Sequence, residues 1–361
     1  MALQLIGLIR TDNLSEIDSA VAQTVEATLD PEFVAEFARA HEEAGFDRVL
    51  VGFHSTGPDA WAVSMHAAAS TRHLNLLVAH RPGFLAPTVA ARMAVTLDHI
   101  TGGRIALNIV TGGSDSDLAR DGDWSEKDTR YRRTDEFLDI LRLAWERDTP
   151  FDYEGEFYRV KAAFSDIKPR QKPSIPIYFG GASDAAVPVG AKHADVYMFW
   201  GEPLADTAAR MAAVRAAAPP SRSPAFSVSV RPILGQTEAE AWEKAHHYLD
   251  RIRALRGQPP TSAPARGSQR LLALAAQQDV FDDRLWMAIA AATGAGANTS
   301  ALVGTAEQVA ESLLRYYDLG VGSILIRGFE PLEDVREFGR ELIPQVREGV
   351  ARRDRASHAA D

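Results

Sequence analysis

Short apolar and β-branched runs recur along this chain, each followed by a stretch with helical spacing, and that alternation constrains the fold more than any single motif. Parallel strands need a crossover of about a dozen residues or more, most often a helix, so the alternation predicts a parallel sheet. Strand-like runs fall at 3–10, 48–53, 74–79, within 102–113, and at 175–179, 196–199, 226–233 and 323–326. Helical runs lie between them: 31–44, with Pro31 in its first turn and Gly45 as C-cap, 60–69 opened by Asp59, one starting at Pro87, 131–147, and a last from 333 to 347. Eight strands make an α/β architecture, a (β/α)8 TIM barrel, the leading fold. A doubly wound sheet is the alternative, because alternation alone does not say whether the sheet closes.

A barrel of this kind needs about 250 residues. The 361 present therefore imply insertions, the largest at 257–300 between strands seven and eight, where Pro, Ser, Gly and Ala flank a helical piece at 269–291. Such flanks predict a mobile lid within a single domain spanning 1–350, and 351–361 reads as a disordered tail. A small hairpin is expected at 151–160, turning at Glu154 and Gly155. The stretch 112–129 is too long for an ordinary strand-to-helix connection and reads as functional.

Composition excludes whole classes of chemistry. There is no cysteine, which removes disulfides, thiolate nucleophiles and Cys-ligated metal centres. A net charge of −10 argues against a nucleic-acid surface. No run approaches the roughly 18 apolar residues of a membrane span, and the N-terminus lacks the basic start of a signal peptide, so a soluble cytoplasmic protein is expected. No HExxH, DxDxDG or GxSxG motif occurs, and no metal site is expected.

In a barrel, residues just past the C-terminal end of each strand point into one site. Here they are Arg10, Phe53 and His54, His80 and Arg81, Asn108 to Gly113, Gly180 to Asp184, Trp200 and Glu202, Arg231, and Arg327 to Glu330. Asn108 stands out in the apolar run of GGRIALNIVTGG, because a buried amide must find partners or cost roughly 1–3 kcal/mol. A core hydrogen bond and a ligand are both open. GGASD at 180–184 offers backbone N–H groups where a helix begins, as a phosphate cradle or as a plain cap from Ser183 or Asp184. RYRR at 130–133 fits either an exposed helix or a phosphate clamp through Arg130 and Tyr131. His54 and His80 are the histidines best placed to move protons, and Trp200 is either a pocket wall or core. Arginines 10, 81, 231 and 327 either converge on an anion or form ion pairs at the rim.

Residues 73–113, with RYRRTDEFL (130–138), PIYFGGASDAA (176–186) and FWGEP (199–203), resemble the flavin-dependent monooxygenases of the bacterial luciferase superfamily, nearest to its alkanesulfonate monooxygenase branch. The resemblance implies a barrel with an insertion near strands seven and eight, forming a homodimer or homotetramer. It also implies a two-component reaction, in which FMNH2 from a separate NAD(P)H-dependent flavin reductase reacts with O2 and oxygenates an organic molecule. In that branch the substrate is an organosulfonate, released as sulfite and an aldehyde. The resemblance places Asn108, Phe53 and His54 at the flavin ring, Asp117 beside it, Arg130 and Tyr131 near the ribityl phosphate, and Ser183 with the Gly181 backbone at the phosphate. His54 or His80 would then assist proton movement, Arg81 and Arg231 would hold an anionic substrate, and Trp200 would stand at the reacting end.

Several substrate positions depart from the family pattern. Arg10 stands where a histidine is typical, Gly57 where a cysteine is, Arg231 lacks its companion histidine, and Phe329-Glu330-Pro331 replaces a Tyr-x-His. Arg81 matches. The flavin positions are thus better preserved than the substrate positions. A neutral organosulfur or other small organic substrate, a deazaflavin-dependent oxidoreductase and a non-catalytic flavin-binding protein are the alternatives. A neutral-substrate pocket would leave the arginines paired with carboxylates.

Overall fold

The computed structural model describes residues 3–19, 29–256, 265–296 and 299–360. The barrel strands are β1 (Gln4–Ile9), β2 (Arg48–Val51), β3 (Asn75–His80), β4 (Ile105–Ile109), β5 (Ile177–Gly180), β6 (Val196–Trp200), β7 (Ala225–Leu234) and β8 (Ser323–Ile326). Each pairs in parallel with the next. The ring closes where β8 meets β1, with Ser323 opposite Gln4 and Leu325 opposite Ile6. That last ladder removes the open doubly wound sheet.

Helices α1 (Glu16–Ser19), α2 (Pro31–Glu43), α3 (Ala60–Ala69), α4 (Pro87–Ile100), α5 (Asp115–Arg120), α6 (Lys127–Glu146), α7 (Ala186–His193), α8 (Leu204–Ala217), α9 (Glu238–Arg256), α10 (Arg266–Ala275), α11 (Ala288–Thr293), α12 (Ala306–Asp318), α13 (Pro331–Glu337) and α14 (Ile343–Ala360) follow in chain order. Their starts are chemically marked. Asp30 accepts from the backbone N–H groups of Glu32 and Phe33 at the head of α2, and Asp59 from that of Ala62 in α3. Gly45 follows α2 at φ +85°, a conformation that favours a residue with no Cβ. No described helix is long and apolar enough to cross a membrane.

Strand parity decides which residues can reach a ligand. Ile6, Leu77, Ala106, Tyr178 and Leu325 fill the barrel interior, while Leu5, Leu76, Leu107, Phe179 and Ile324 belong to the large core formed with the helices. Successive side chains alternate between the two faces. On β4, therefore, Asn108 shares the inner face with Ala106, and on β3 it is Ala79 and Arg81 that share the inner face with Leu77.

Three sequence expectations change. The loop at 112–129 holds α5, capped by Ser114, and α6 begins at Lys127 rather than 131. The 257–300 insertion contains α10, α11 and two short strands, Val280–Phe281 and Leu285–Trp286. These strands extend a sheet onto Ala301–Gly304, which pairs with the outer half of β7. Leu271, Leu285, Trp286 and Ile289 bury its apolar face, and residues 257–264, half of the expected lid flank, lie outside the described residues. Finally, α14 runs through the expected tail to Ala360, braced where Arg353 pairs with Glu311 and Asp318 and where the Tyr317 hydroxyl donates to Asp354.

Candidate active site

A cavity of about 290 Å³ opens at the C-terminal mouth on the β4, β5 and β6 side. Leu50 and Leu325 form its floor, the exits of β4 and β5 supply Asn108, residues 110–113 and 180–183, and Met198 and Trp200 form a wall. Lys127 and Tyr131, one helical turn apart on α6, face it from the side, and residues 265–267 at the start of α10 cover it. The insertion backbone lies close: a Cβ on Gly267 would sit 3.0 Å from the Trp200 ring, so a side chain there would require the ring or the helix to give by a few tenths of an ångström.

Among the described residues, the Asn108 Oδ1 is buried in this cavity without a hydrogen bond, while the buried Ser183 Oγ has the Tyr131 hydroxyl beside it. An acceptor left unpaired would cost roughly 1–3 kcal/mol. Between them, Gly180 faces open space, whereas a Cβ on Gly181 would meet Ala186 at 2.6 Å and the Tyr131 hydroxyl at 3.3 Å. The backbone at 180–183 is therefore bare toward the cavity and tightly held behind, and the Gly181 carbonyl is fixed by the Tyr197 hydroxyl at 2.8 Å. Burial raises the Tyr131 phenol above its ordinary pKa, keeping it a hydrogen-bond donor. The unpaired Asn108 acceptor, the exposed backbone with the Ser183 and Tyr131 hydroxyls, and the Lys127 ammonium fit a large planar ring carrying a phosphate, the shape of FMN.

Of the residues singled out from sequence, Asn108, Tyr131, Gly181, Ser183 and Trp200 come together here. A second group forms the rim on the β2 and β3 side. Arg81 is buried and donates to Asp117 at 2.7 Å and to the Ser55 hydroxyl at 3.0 Å, with its guanidinium 4.6 Å from the Phe53 ring centre. Asp117 also accepts from the Ser55 N–H, and its carboxyl lies below the ordinary range because these bonds outweigh its burial. Asp117 thus pairs with Arg81, whose buried Nε has no hydrogen-bond partner among the described residues. His54 is exposed at this rim, where desolvation by the surrounding mouth, reinforced by Arg81 and Arg327 against Asp117, holds its pKa below the usual value.

Two candidates take other roles. His80 is only 3% exposed and lies on the outer face of β3, between Trp61 and Phe137, accepting from the Trp61 indole N–H at 3.4 Å. Parity aims it at the helices, and burial brings its pKa down to about 4. It is a packing histidine rather than a catalytic one. Arg130 does not line the cavity: it is buried and donates to Asp115 at 2.8 Å and to the Ser125 carbonyl, tying α5 to α6.

Arg231 is also committed within the protein. It pairs with Glu16, donates to the Gly328 carbonyl at 2.8 Å and stacks 4.5 Å from the Phe329 ring centre. Arg10 and Arg327 each lie 3.7 Å from the same Glu16 carboxylate. Burial would raise the Glu16 carboxyl, but Arg231, Arg327 and Arg10 together hold it down to about 2.

Sequence reasoning gave no role to Lys127, Glu202 or Arg266. Lys127 was findable as the residue four before Tyr131, on the same helix face. Glu202, 1% exposed, accepts from Arg210 at 2.6 Å and from Arg270 of α10 at 2.7 Å, joining the insertion to the barrel wall. A possible cation cluster of Asp135, Asp139 and His193 lies elsewhere, and the Lys192 ammonium already sits 2.8 Å and 2.9 Å from its two carboxylates.

A family model described as luciferase-like monooxygenase matches residues 13–323. Among solved structures, the chain is similar to riboflavin lyase with modified FMN and riboflavin, at 18% identity over 96% of this chain and 92% of that one, with a TM-score of 0.77. It is similar to EDTA monooxygenase from Chelativorans sp. BNC1, at 17% identity over 96% and 94%, TM-score 0.74. Long-chain alkane monooxygenase matches at 18% identity over 96% and 92%, TM-score 0.76. At such identities the likeness is one of fold.

Proposed function

We propose that this chain, which belongs to the luciferase-like monooxygenase family, binds FMNH2 in the β4–β5–β6 cavity and uses it with O2 to oxygenate a small organic substrate. The observation that carries this reading is the buried Asn108 Oδ1, unpartnered among the described residues, beside a bare glycine backbone that leads to the Ser183 and Tyr131 hydroxyls. When bound, the reduced flavin supplies the electrons that activate O2. Asn108 would accept from a ring N–H, and the N–H groups at 180–183 with Ser183, Tyr131 and Lys127 would hold the phosphate. Leu50, Met198, Leu325 and Trp200 orient the ring and exclude water. His54, kept neutral by its depressed pKa, is the rim group able to accept a proton at a ring nitrogen. We place the reductant in a separate NAD(P)H-dependent flavin reductase and expect a homodimer or homotetramer.

Two substrate readings follow from the resemblance: an organosulfonate, released as sulfite and an aldehyde, or a neutral organosulfur or other small organic molecule. The ion pairs favour the second. Arg10, Arg81, Arg231 and Arg327 all lie within 4.0 Å of a carboxylate. The test supplies reduced FMN and O2 with a panel of sulfonates and sulfones, and assays sulfite and sulfinate. Product from sulfones and none from sulfonates supports the neutral reading, and the reverse overturns it. Reduced FMN failing to bind overturns the flavin reading itself.

A further inference from the structure

Glu16 sits where the inner faces of three strands run out of the barrel. Ser229 and Leu325 line the cavity, and Arg231 and Arg327 follow them by two residues on β7 and just past β8. With a period of two, both arginines stand in the side-chain layer directly above the cavity wall. Arg10 occupies the matching position past the end of β1. Planar, fork-shaped donors gathered on one point are what a sulfonate, sulfate or carboxylate group requires. The point is already filled by the Glu16 carboxylate.

The segment that delivers this carboxylate is anchored. The Glu16 N–H donates to the Phe329 carbonyl at 2.7 Å, and the Ser15 hydroxyl to Glu330 at 2.6 Å. Ile17 is fully buried among Ile233, Phe329 and their neighbours. Displacing Glu16 therefore means unseating α1 from the exit of β8.

We propose that Glu16 is a specificity-determining internal counterion: it occupies the anion position above the cavity, so that the mouth admits neutral substrates and rejects sulfonates and carboxylates. The inference rests on the neutral-substrate reading and names the residue that enforces it. Removing the Glu16 carboxylate leaves the Arg10, Arg231 and Arg327 guanidinium groups aimed at a vacated position, which turns a filled position into an anion site.

The test uses the full chain without flavin, titrated by calorimetry with methanesulfonate and with neutral dimethyl sulfone at constant ionic strength. Glu16→Gln should bind methanesulfonate at least about tenfold more tightly than the wild type. Glu16→Asp, which keeps the charge, should behave as the wild type, and adding Arg231→Gln to Glu16→Gln should abolish the gain. If Glu16→Gln is too unstable to titrate, Glu16→Ala is followed by thermal unfolding. Acetate should then raise its Tm where chloride of equal ionic strength does not. Wild-type protein binding methanesulfonate as tightly as Glu16→Gln, or Glu16→Ala indifferent to acetate, overturns the proposal. Anaerobic titration of the same proteins with reduced FMN reports on the flavin reading separately, and failure there leaves the anion result standing.

Discussion

Replacing Asn108 with alanine should move two quantities in opposite directions. Asn108 is 9% exposed, held between Ala79 and Tyr178 in the barrel ladder, and its Oδ1 is buried without a partner among the described residues. An unpaired buried acceptor costs roughly 1–3 kcal/mol. The protein without ligand bears that cost, and a ring N–H of the flavin relieves it. Asn108→Ala deletes the orphan and loses on the order of 1 kcal/mol of side-chain packing, so the unliganded protein should be between unchanged and about 2 kcal/mol more stable. Reduced-FMN affinity should fall by the net worth of one hydrogen bond, about 0.5–1.5 kcal/mol, or roughly 2- to 13-fold. Urea unfolding measures the first and anaerobic fluorescence titration the second. General damage to the fold would lower both. A variant that loses more than about 1 kcal/mol of stability while binding reduced FMN unchanged would show that Asn108 serves the core, and the reasoning from the orphaned oxygen would be refuted.

Acid should destabilise the protein through its buried histidines. His41 and His80 both have their pKa brought down to about 4 by burial, so the unfolded chain takes protons near pH 6.5 that the folded chain refuses. Stability from these groups is complete above pH 6.5 and falls as pH drops towards 4, by up to about 3 kcal/mol each. The double variant His41→Phe and His80→Leu should flatten that limb of the Tm against pH curve, and an unchanged limb would count against their being neutral in the fold. His80→Leu alone should leave reduced-FMN affinity and turnover unaltered; a large loss of turnover would return His80 to the chemistry. Glu202→Gln strands Arg210, 14% exposed, and Arg270, 37% exposed. Breaking a fully buried pair costs about 3–5 kcal/mol, and the exposure of Arg270 reduces this to roughly 2–3. Hydrogen exchange should speed up in α10 more than in the barrel strands, and equal protection in both would remove Glu202 as the tie between them.

Strand positions were legible for the same reason that strand faces were not. In a barrel the strands are covered on both sides, so they read as unbroken apolar runs that stand out from the amphipathic helices. β8 begins and ends where the apolar run predicts, at Ser323–Ile326. The same uniformity hides parity: in Leu76-Leu77-Val78-Ala79-His80-Arg81, nothing in the residue types says which alternate set faces inward. Listing strand ends therefore nominated His80 and Arg81 together, although they point to opposite faces. Only Asn108 advertised its side, because one amide in an apolar strand is tolerable where a ligand can reach it.

The arginines show a different limit. Their positions just past β1, β3 and β8 and within the outer half of β7 are written in the sequence, and so is their fitness for an anion. What decides between an anion site and a set of ion pairs is the placement of four carboxylates. Asp12 lies on a loop, Asp117 and Asp121 on or just after the short helix α5 within the 112–129 connection, and Glu16 meets Arg231 across 215 residues of chain. The cost of a mistake is large, because an unneutralised guanidinium in this layer would attract any anion reaching the mouth. On the proposed reading, substrate charge is set by the connections outside the strands, so the positions assigned to the flavin can follow the family pattern while those assigned to the substrate depart from it.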